Sequence, residues 1–363
     1  MSRLKLPGLI DAHVHLREPG GTQKEDLSTG TAAAVAGGFT MVLDMPNNTP
    51  PIVDAATLAA KRRLAARRLH CDVGFYLGAS SSGPLPDPAA TAASAGLKIY
   101  LDATFGPLRL TDLGRLQDYI GTWPVSKPIL FHAEGTSVAA AIALAHVWQH
   151  PVHLCHISRA AELRLIRRAK ERGLPVTCEV TPHHLFLNEA DALRLGTLGD
   201  MHPTLASAAD VAFLWQNLDV IDIIATDHAP HTLEEKASTT PPPGVPGLET
   251  ALPLMLTAVA DGRLDLTRLV TMMHSAPRRI FGLPEQPNTW IEVDTDVRWQ
   301  IPASGFQTKC NWSPFAGRVV QGRVEQVVLR GQVIVHGGQL LAGAGAGQVL
   351  FENVSLAEKP GGA

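Results

Sequence analysis

A TIM-type (β/α)8 barrel with a small β-rich appendage, formed mainly by the carboxyl-terminal segment, is the fold this sequence predicts, and three observations predict it. Eight short apolar runs succeed one another between residues 9 and 227. Most are separated by stretches long enough for a helix, and each is apolar along its length, the pattern of parallel strands covered on both faces. Nearly every run carries or ends in a side chain able to bind a metal or move a proton, as strands do at the carboxyl-terminal rim of such barrels.

The first run, Leu9-Ile10-Asp11-Ala12-His13-Val14-His15-Leu16-Arg17, ends in two histidines one residue apart. Residues i and i+2 of a strand face the same side, so both imidazoles can aim at one point. Residues 25–38 read as an Ala-rich helix stopped by Gly37-Gly38. Phe39 to Met45 is the second strand, closed by the loop Pro46-Asn47-Asn48. A basic-faced helix over 55–69 leads to a third strand over 71–78, a Ser/Pro/Gly-rich connection over 79–88 and a short fourth strand over 96–101. Helices over 110–122, 137–149 and 160–172 then alternate with strands over 128–133, 152–157 and 175–180. A helix over 207–218, with Ser207 as its cap, precedes the eighth strand over 221–227. Past it, 239–247 is a Pro/Gly-rich loop, 248–261 and 266–274 are helical, and β-type alternation begins at Trp290. The expected division is 1–289 barrel, 290–345 β appendage and 346–363 tail.

At 363 residues the chain exceeds a barrel of about 250 residues by roughly such an appendage. Hydrophobic residues make up 45% and charged residues 18%, which excludes a disordered chain. A formal net charge of -3 offers no basic footprint for nucleic acid and no polybasic patch for a membrane. No run approaches the roughly 20 apolar residues of a spanning helix. Cys71, Cys155, Cys178 and Cys310 are scattered without a CxxC pair, against a disulfide framework or zinc ribbon. A small-molecule partner and a cytoplasmic location are expected. Histidine is the compositional surprise, with 15 against 3 tyrosines.

On the barrel, the polar residues share one rim: His13 and His15, Asp44 and Asn47, Lys98, His132, His156, Glu179 and Asp227. Singly, each histidine could be a satisfied core residue and Asp227 a helix cap. Lys98, inside Gly96-Leu97-Lys98-Ile99-Tyr100-Leu101, is harder to explain, since burying an ammonium without a partner is costly. Together, four histidines, an aspartate and a buried lysine compose a two-metal hydrolytic site, provided the lysine takes up carbon dioxide and becomes a bridging carboxylate. Such ligands suit zinc, and two ions about 3.5–4 Å apart can supply hydroxide at neutral pH and polarise a carbonyl. Asp227 can carry the proton.

The stretches DAHVHLREPGGTQKED from Asp11, MPNNTPPI from Met45, GLKIYL from Gly96, FHAE from Phe131, HLCHISR from His153, VTCEVTPHHLFL from Val176, and ATDHAPHTLEEK followed by PPPGVPGLET span nearly the whole chain. In them the chain resembles the dihydroorotases of the amidohydrolase superfamily, and among these the dihydroorotase domain of animal multifunctional pyrimidine-synthesis proteins. The resemblance implies reversible, zinc-dependent cyclisation of N-carbamoyl-L-aspartate to L-dihydroorotate. It implies that His13, His15 and Asp227 hold one zinc, that His132 and His156 hold the other, and that carboxylated Lys98 bridges them. Asp227 and Lys98 are the catalytic pair it predicts. Arg17, Asn47 and His231 would bind the substrate carboxylate, Pro243 would border the ring, and the loop with Thr104 and Phe105 would fold over the occupied site. Arg17 also makes independent sense, because guanidinium matches carboxylate through paired hydrogen bonds.

By the same resemblance Cys155 and Glu179 accompany a third zinc beside His13, which is chemically reasonable, while a buried inert cysteine remains open. His183, His184 and His228 read as supporting residues. His202 stands where the animal-type domain has an arginine that borders the substrate ring. A homodimer is expected, as is fusion to, or association with, carbamoyl-phosphate synthetase and aspartate transcarbamoylase. Two alternatives stand beside this reading: a hydantoinase-like or allantoinase-like amidohydrolase, and a metal-free scaffold.

Overall fold

The computed structural model describes residues 3–341 and 343–351. Its strands, in order, are β1 (Arg3–Pro7), β2 (Leu9–Val14), β3 (Phe39–Asp44), β4 (Asp72–Phe75), β5 (Leu77–Gly78), β6 (Leu97–Tyr100), β7 (Ile129–His132), β8 (Val152–Leu154), β9 (Val176–Val180), β10 (Ile223–Ile224), β11 (Trp290–Gln300), β12 (Val319–Leu329), β13 (Gln332–His336) and β14 (Gln339–Leu340). Every apolar run from β2 to β10 forms parallel strand, with β4 and β5 as two parts of one run broken at Tyr76. Parallel pairing requires a crossover, and the helices over Leu27–Ala36, Ala55–Ala65, Leu113–Thr122, Thr136–Trp148, Ala160–Glu171 and Ala208–Gln216 supply crossovers between successive runs.

The parallel strands form two sheets, β2-β3-β4 and β10-β9-β8-β7-β6-β5. Between β10 and β2 no continuous ladder closes the circle among the described residues. There the chains meet through a single bridge, Val14 to His228, and through His15 N donating to His228 O at 2.8 Å. Asp11, buried in β2, accepts from Thr226 N at 3.1 Å and so ties the same seam.

β2 and β3 are buried at every position, which is why their sequences do not alternate. Side-chain period still sorts them: Ile10, Ala12, Met41 and Leu43 pack with Tyr76, Leu130 and Ile223 in an inner cluster, while Leu9 and Val42 join the outer cluster with the helices. Helix starts follow local chemistry. The first helix begins at Leu27, not residue 25, because Asp26 takes the cap and accepts from Ser28 N and Thr29 N. Glu25 is thereby freed to turn inward, where it is fully buried. Ser207 caps the helix Ala208–Gln216 as expected. The short helices Pro182–Phe186 and Glu189–Leu195, unforeseen in the sequence, follow β9 and carry the chain across the rim.

The remaining strands make an antiparallel sheet, β1-β11-β12-β13-β14. β1, from the amino terminus, pairs Arg3 with Asp294 through Pro7 with Trp290 and so joins the carboxyl-terminal strands. The tail expected from residue 346 is, over its described part, a packed segment. Val73 N donates to Gln348 O at 2.9 Å and Leu350 N to Val73 O at 2.8 Å, which covers an open edge of β4. Residues 352–363 of that tail lie outside the described residues. No described helix is long and apolar enough to cross a membrane.

Candidate active site

The carboxyl ends of the parallel strands surround one cavity. Of the residues singled out in the sequence, His13, His15, Arg17, Asn47, Lys98, Thr104, Phe105, His132, His156, His202, Asp227 and Pro243 line it. Cys155, Glu179 and His231 stand directly behind them, against Lys98, His13 and Arg17 respectively.

Three of the four rim histidines share a plan. His13 places Nδ1 2.5 Å from Glu179 Oε1 and Nε2 3.2 Å from Asp227 Oδ1. His15 holds Asn47 Oδ1 at 2.7 Å with Nδ1 and meets the same Asp227 oxygen at 3.0 Å with Nε2. His132 anchors Nε2 on Glu134 Oε1 at 3.2 Å and presents Nδ1 to His156 Nε2 at 2.9 Å. Three of these rings therefore have one nitrogen fixed from outside and the other turned inward, which sets orientation in the way that outer-sphere partners orient metal ligands. The backbone takes part: Arg17, His156 and Asp227 adopt φ values of 61°, 37° and 46°, a left-handed region that side chains rarely occupy.

Electrostatics follow from that packing. Burial pushes the His13 imidazole down, but the carboxylates of Asp227 and Glu179 outweigh it and hold the ring up at about 10. Burial raises the Asp227 carboxyl, yet His13 and His15 keep it well below its ordinary value. His15 is lowered to about 4 by burial, against the pull of Asp227. The inward-facing donors converge into sets that fit cations: His13, His156 and Asp227 bring ligand atoms within 4.8 Å of one another, and so do His13, Cys155 and Glu179. Lys98 is fully buried, and its Nζ has the Cys155 sulfur at 2.8 Å as hydrogen-bond partner, with no carboxylate paired to it among the described residues.

Beside this cluster lies a cationic corner. Arg17 is buried, its Nε donates to Pro230 O at 3.1 Å, and its Nη2 is 3.0 Å from His231 Nε2. Lys24 Nζ is 3.1 Å from His231 Nδ1, and Pro243 O is 3.0 Å from Nε2. Burial, then Arg17 and Lys24, drive the His231 pKa down, so the ring is neutral. A neutral imidazole can accept from only one of these two cations, Lys24 at Nδ1 or Arg17 at Nε2. The other contact is then donor against donor, and an anionic ligand would relieve it. Phe105 closes the corner, its ring 5.3 Å from both the Arg17 guanidinium and the His231 ring, and its carbonyl accepts from Asn47 Nδ2 at 3.1 Å.

Asp44, grouped with the rim in the sequence, does not line the cavity. It accepts from Leu16 N at 2.8 Å and pairs with buried Lys61 at 2.7 Å, and Lys61 also reaches Met45 O at 3.2 Å and Asn48 Oδ1 at 2.6 Å. The pair thus fixes the loops that carry Arg17 and Asn47. Lys236 does the same for the loop of Pro243 and Gly244, donating to Asp200 O at 3.0 Å, Pro242 O at 3.0 Å and Gly244 O at 3.2 Å. Neither lysine was foreseen: Lys61 sits on a basic-faced helix whose sequence does not show which of its cations turns inward, and the Lys236 partners are all backbone carbonyls, which carry no side-chain signal. Tyr100 and Met201 also line the cavity unforeseen, and His183, read from the sequence as a supporting residue, lines it as well. Tyr100 had a signal, since it follows Lys98 by two residues on one strand face.

A parallel α/β frame with histidines, a lysine and an aspartate at its strand ends defines the amidohydrolase class, and residues 4–93 match the amidohydrolase family. The chain is 37% identical to the dihydroorotase of Pyrococcus furiosus, over 93% of this chain and 82% of that one. It is 51% identical to the multifunctional protein CAD of Squalus acanthias over 95% of this chain, and spans 15% of that protein's length. The L-hydantoinase of Arthrobacter aurescens superposes with a TM-score of 0.87 at 25% identity, covering 96% of this chain and 88% of that one. This chain belongs to the dihydroorotase family.

Proposed function

We propose that the protein is a zinc-dependent dihydroorotase, interconverting N-carbamoyl-L-aspartate and L-dihydroorotate in pyrimidine synthesis. The observation that carries the reading is the buried Arg17, with Lys24 and His231 beside it, next to the Asp227 cluster. A neutral cyclic amide needs no such corner, whereas dihydroorotate brings a carboxylate that Arg17 can grip through paired hydrogen bonds. In this reading the two parallel sheets are arcs of one (β/α)8 barrel, with the antiparallel sheet as its appendage.

His13, His15 and Asp227 would hold one zinc, His132 and His156 the other, with Lys98, carboxylated by carbon dioxide, between them. When bound, the ions supply hydroxide at neutral pH and polarise the ring carbonyl. The chain does the rest. Arg17 fixes the carboxylate and so positions the ring. Asp227 takes the proton of the attacking water and returns it to the departing ring nitrogen, and the reverse order closes the ring. Phe105 and Thr104 cover the occupied cavity. Cys155, Glu179 and His13 form the place for a third ion. A homodimer, a cytoplasmic location and joining to synthetase and transcarbamoylase modules belong to the same proposal, the last supported by the shark relative, of which this chain matches one segment.

The test is elemental analysis with a dihydroorotate hydrolysis assay on one preparation. The reading expects roughly two or three zinc ions per chain and turnover that a chelator abolishes and zinc restores. A preparation that holds no zinc after reconstitution with zinc and bicarbonate, or that hydrolyses dihydrouracil in preference to dihydroorotate, would overturn it.

A further inference from the structure

β9 runs into Thr181-Pro182-His183-His184, and the fold gives the two histidines opposite situations. His184 is saturated: Nδ1 is 2.8 Å from Thr181 Oγ1, Nε2 is 3.0 Å from Pro203 O, and its backbone N–H donates to the Thr181 hydroxyl at 3.2 Å. By holding Pro203, it also fixes the segment that brings His202 to the cavity wall. His183 packs its ring on His184 at 4.5 Å, is 2% exposed, and lines the same cavity. Its Nε2 has no hydrogen-bond partner among the described residues.

Buried polar atoms are almost always paired, and leaving one unpaired costs about 1–3 kcal/mol. Two other unpaired atoms border the cavity, His156 Nδ1 and Tyr100 Oη. Both belong to the proposed metal cluster: His156 is one of its donors, and the Tyr100 ring lies 5.2 Å from Lys98 Nζ and 5.9 Å from the His132 ring. His183 lines the same cavity and its unpaired Nε2 is not one of those donors.

We propose that His183 touches the substrate, its Nε2 forming a hydrogen bond with a polar atom of the bound ring. A cyclic ureide presents both carbonyl oxygens and N–H groups, so the neutral imidazole finds a complement in either tautomer. His184 is then the positioning residue and His183 the reading one. A contact of this kind, made to ground state and transition state alike, governs KM more than kcat. The inference rests on the dihydroorotase reading above.

His183→Phe keeps the ring volume and removes the nitrogen, whereas His183→Gln returns an amide near the Nε2 level. Dihydroorotate hydrolysis and zinc content are measured on both variants and the parent. The expectation for His183→Phe is a KM raised about tenfold, equivalent to ~1.4 kcal/mol, with kcat within about threefold and zinc unchanged. His183→Gln is expected to bring KM back to within about threefold of the parent. Should the Phe variant fail to fold, His183→Asn, whose amide reaches only the Nδ1 level, takes its place. A KM within about twofold of the parent, zinc lost in step with activity, or a Gln variant no better than Phe would overturn the contact. A parent chain without dihydroorotase turnover would instead bring down the functional reading, and this inference with it.

Discussion

The two ends of the parallel strands use their buried polar groups differently. At the carboxyl ends, Arg17, His156 and Asp227 hold positive φ angles, and His156, Tyr100 and His183 leave buried polar atoms without partners among the described residues. At the amino ends Asp72 is saturated: it accepts Arg330 Nη1 on both oxygens at 3.0 and 2.7 Å, Gln286 Nε2 at 2.7 Å and Gln348 N at 2.8 Å. That hub ties β4 to the antiparallel sheet and to the carboxyl-terminal segment. Positive φ angles also occur on the amino side, at Gln149 and Arg330, and Trp123 Nε1 is unpaired there among the described residues. The contrast therefore lies in what the groups are: at the carboxyl ends these strained and unpaired groups line the cavity, whereas Asp72 at the amino ends is a saturated structural hub.

The comparison breaks most visibly at Lys98 and Asp227. Lys98→Ala, or Asp227→Asn, is expected to lower dihydroorotate turnover by roughly a thousandfold or more while the melting temperature changes little. Steady-state assays and thermal melts on the same samples check this, and near-parent turnover in either variant would remove these residues from the chemistry. Arg17→Ala comes next, with a rise in KM of roughly 10- to 100-fold, since a hydrogen bond to a charged group is worth about 1.5–3 kcal/mol. Zinc content should stay constant in that variant; loss of metal would mean Arg17 supports the cluster instead of the ligand.

Asp72→Ala reverses the pattern. Removing one partner leaves Arg330, Gln286 and the Gln348 amide without their acceptor, and because the Arg330 side chain is 26% exposed the expected loss is about 1–3 kcal/mol of stability, below the cost of a fully buried pair. Denaturant unfolding measures it, with kcat and KM per folded molecule unchanged. A kinetic defect with no loss of stability would contradict the division of labour between the ends.

How much of this was legible in sequence divides along the same line. The eight runs were readable because parallel strands are apolar throughout, and the rim residues because His, Lys and Asp at the ends of such runs are chemically conspicuous. β1 was not, since Arg3-Leu4-Lys5-Leu6-Pro7 is too short to signal a strand before its partner, some 290 residues later, is known. Likewise the Asp72 hub depends on contacts distant in sequence. The antiparallel sheet was expected as an appendage, but the loop between β11 and β12 reaches the rim: Lys309 N donates to Glu25 Oε1, the Thr308 hydroxyl donates to Glu25 Oε2, which also meets His228 Nε2 at 3.3 Å, and Trp312 Nε1 donates to His231 O at 2.7 Å.

Glu249 offers the finest test of whether that loop belongs to the rim. Its carboxylate accepts from Gln307 N and Thr308 N, both at 3.0 Å, and so pins the loop to the helix Leu248–Ala260. Burial, helped by the charge of Glu25 and opposed by those two amides, raises its pKa to about 7. A folded pKa above the unfolded value of about 4.3 means that the native state binds the proton more tightly. The resulting stability is fully present below pH ~4.3 and is lost as pH rises to about 7, a change of order 1–2 kcal/mol after allowance for relaxation of the loop. Glu249→Gln, which cannot ionise, should flatten unfolding free energy between about pH 5 and 7 relative to the parent. If KM for dihydroorotate stays constant across that window in both proteins, the loop serves as a brace; a KM that drifts with Glu249 ionisation, and only in the parent, would make it part of the rim.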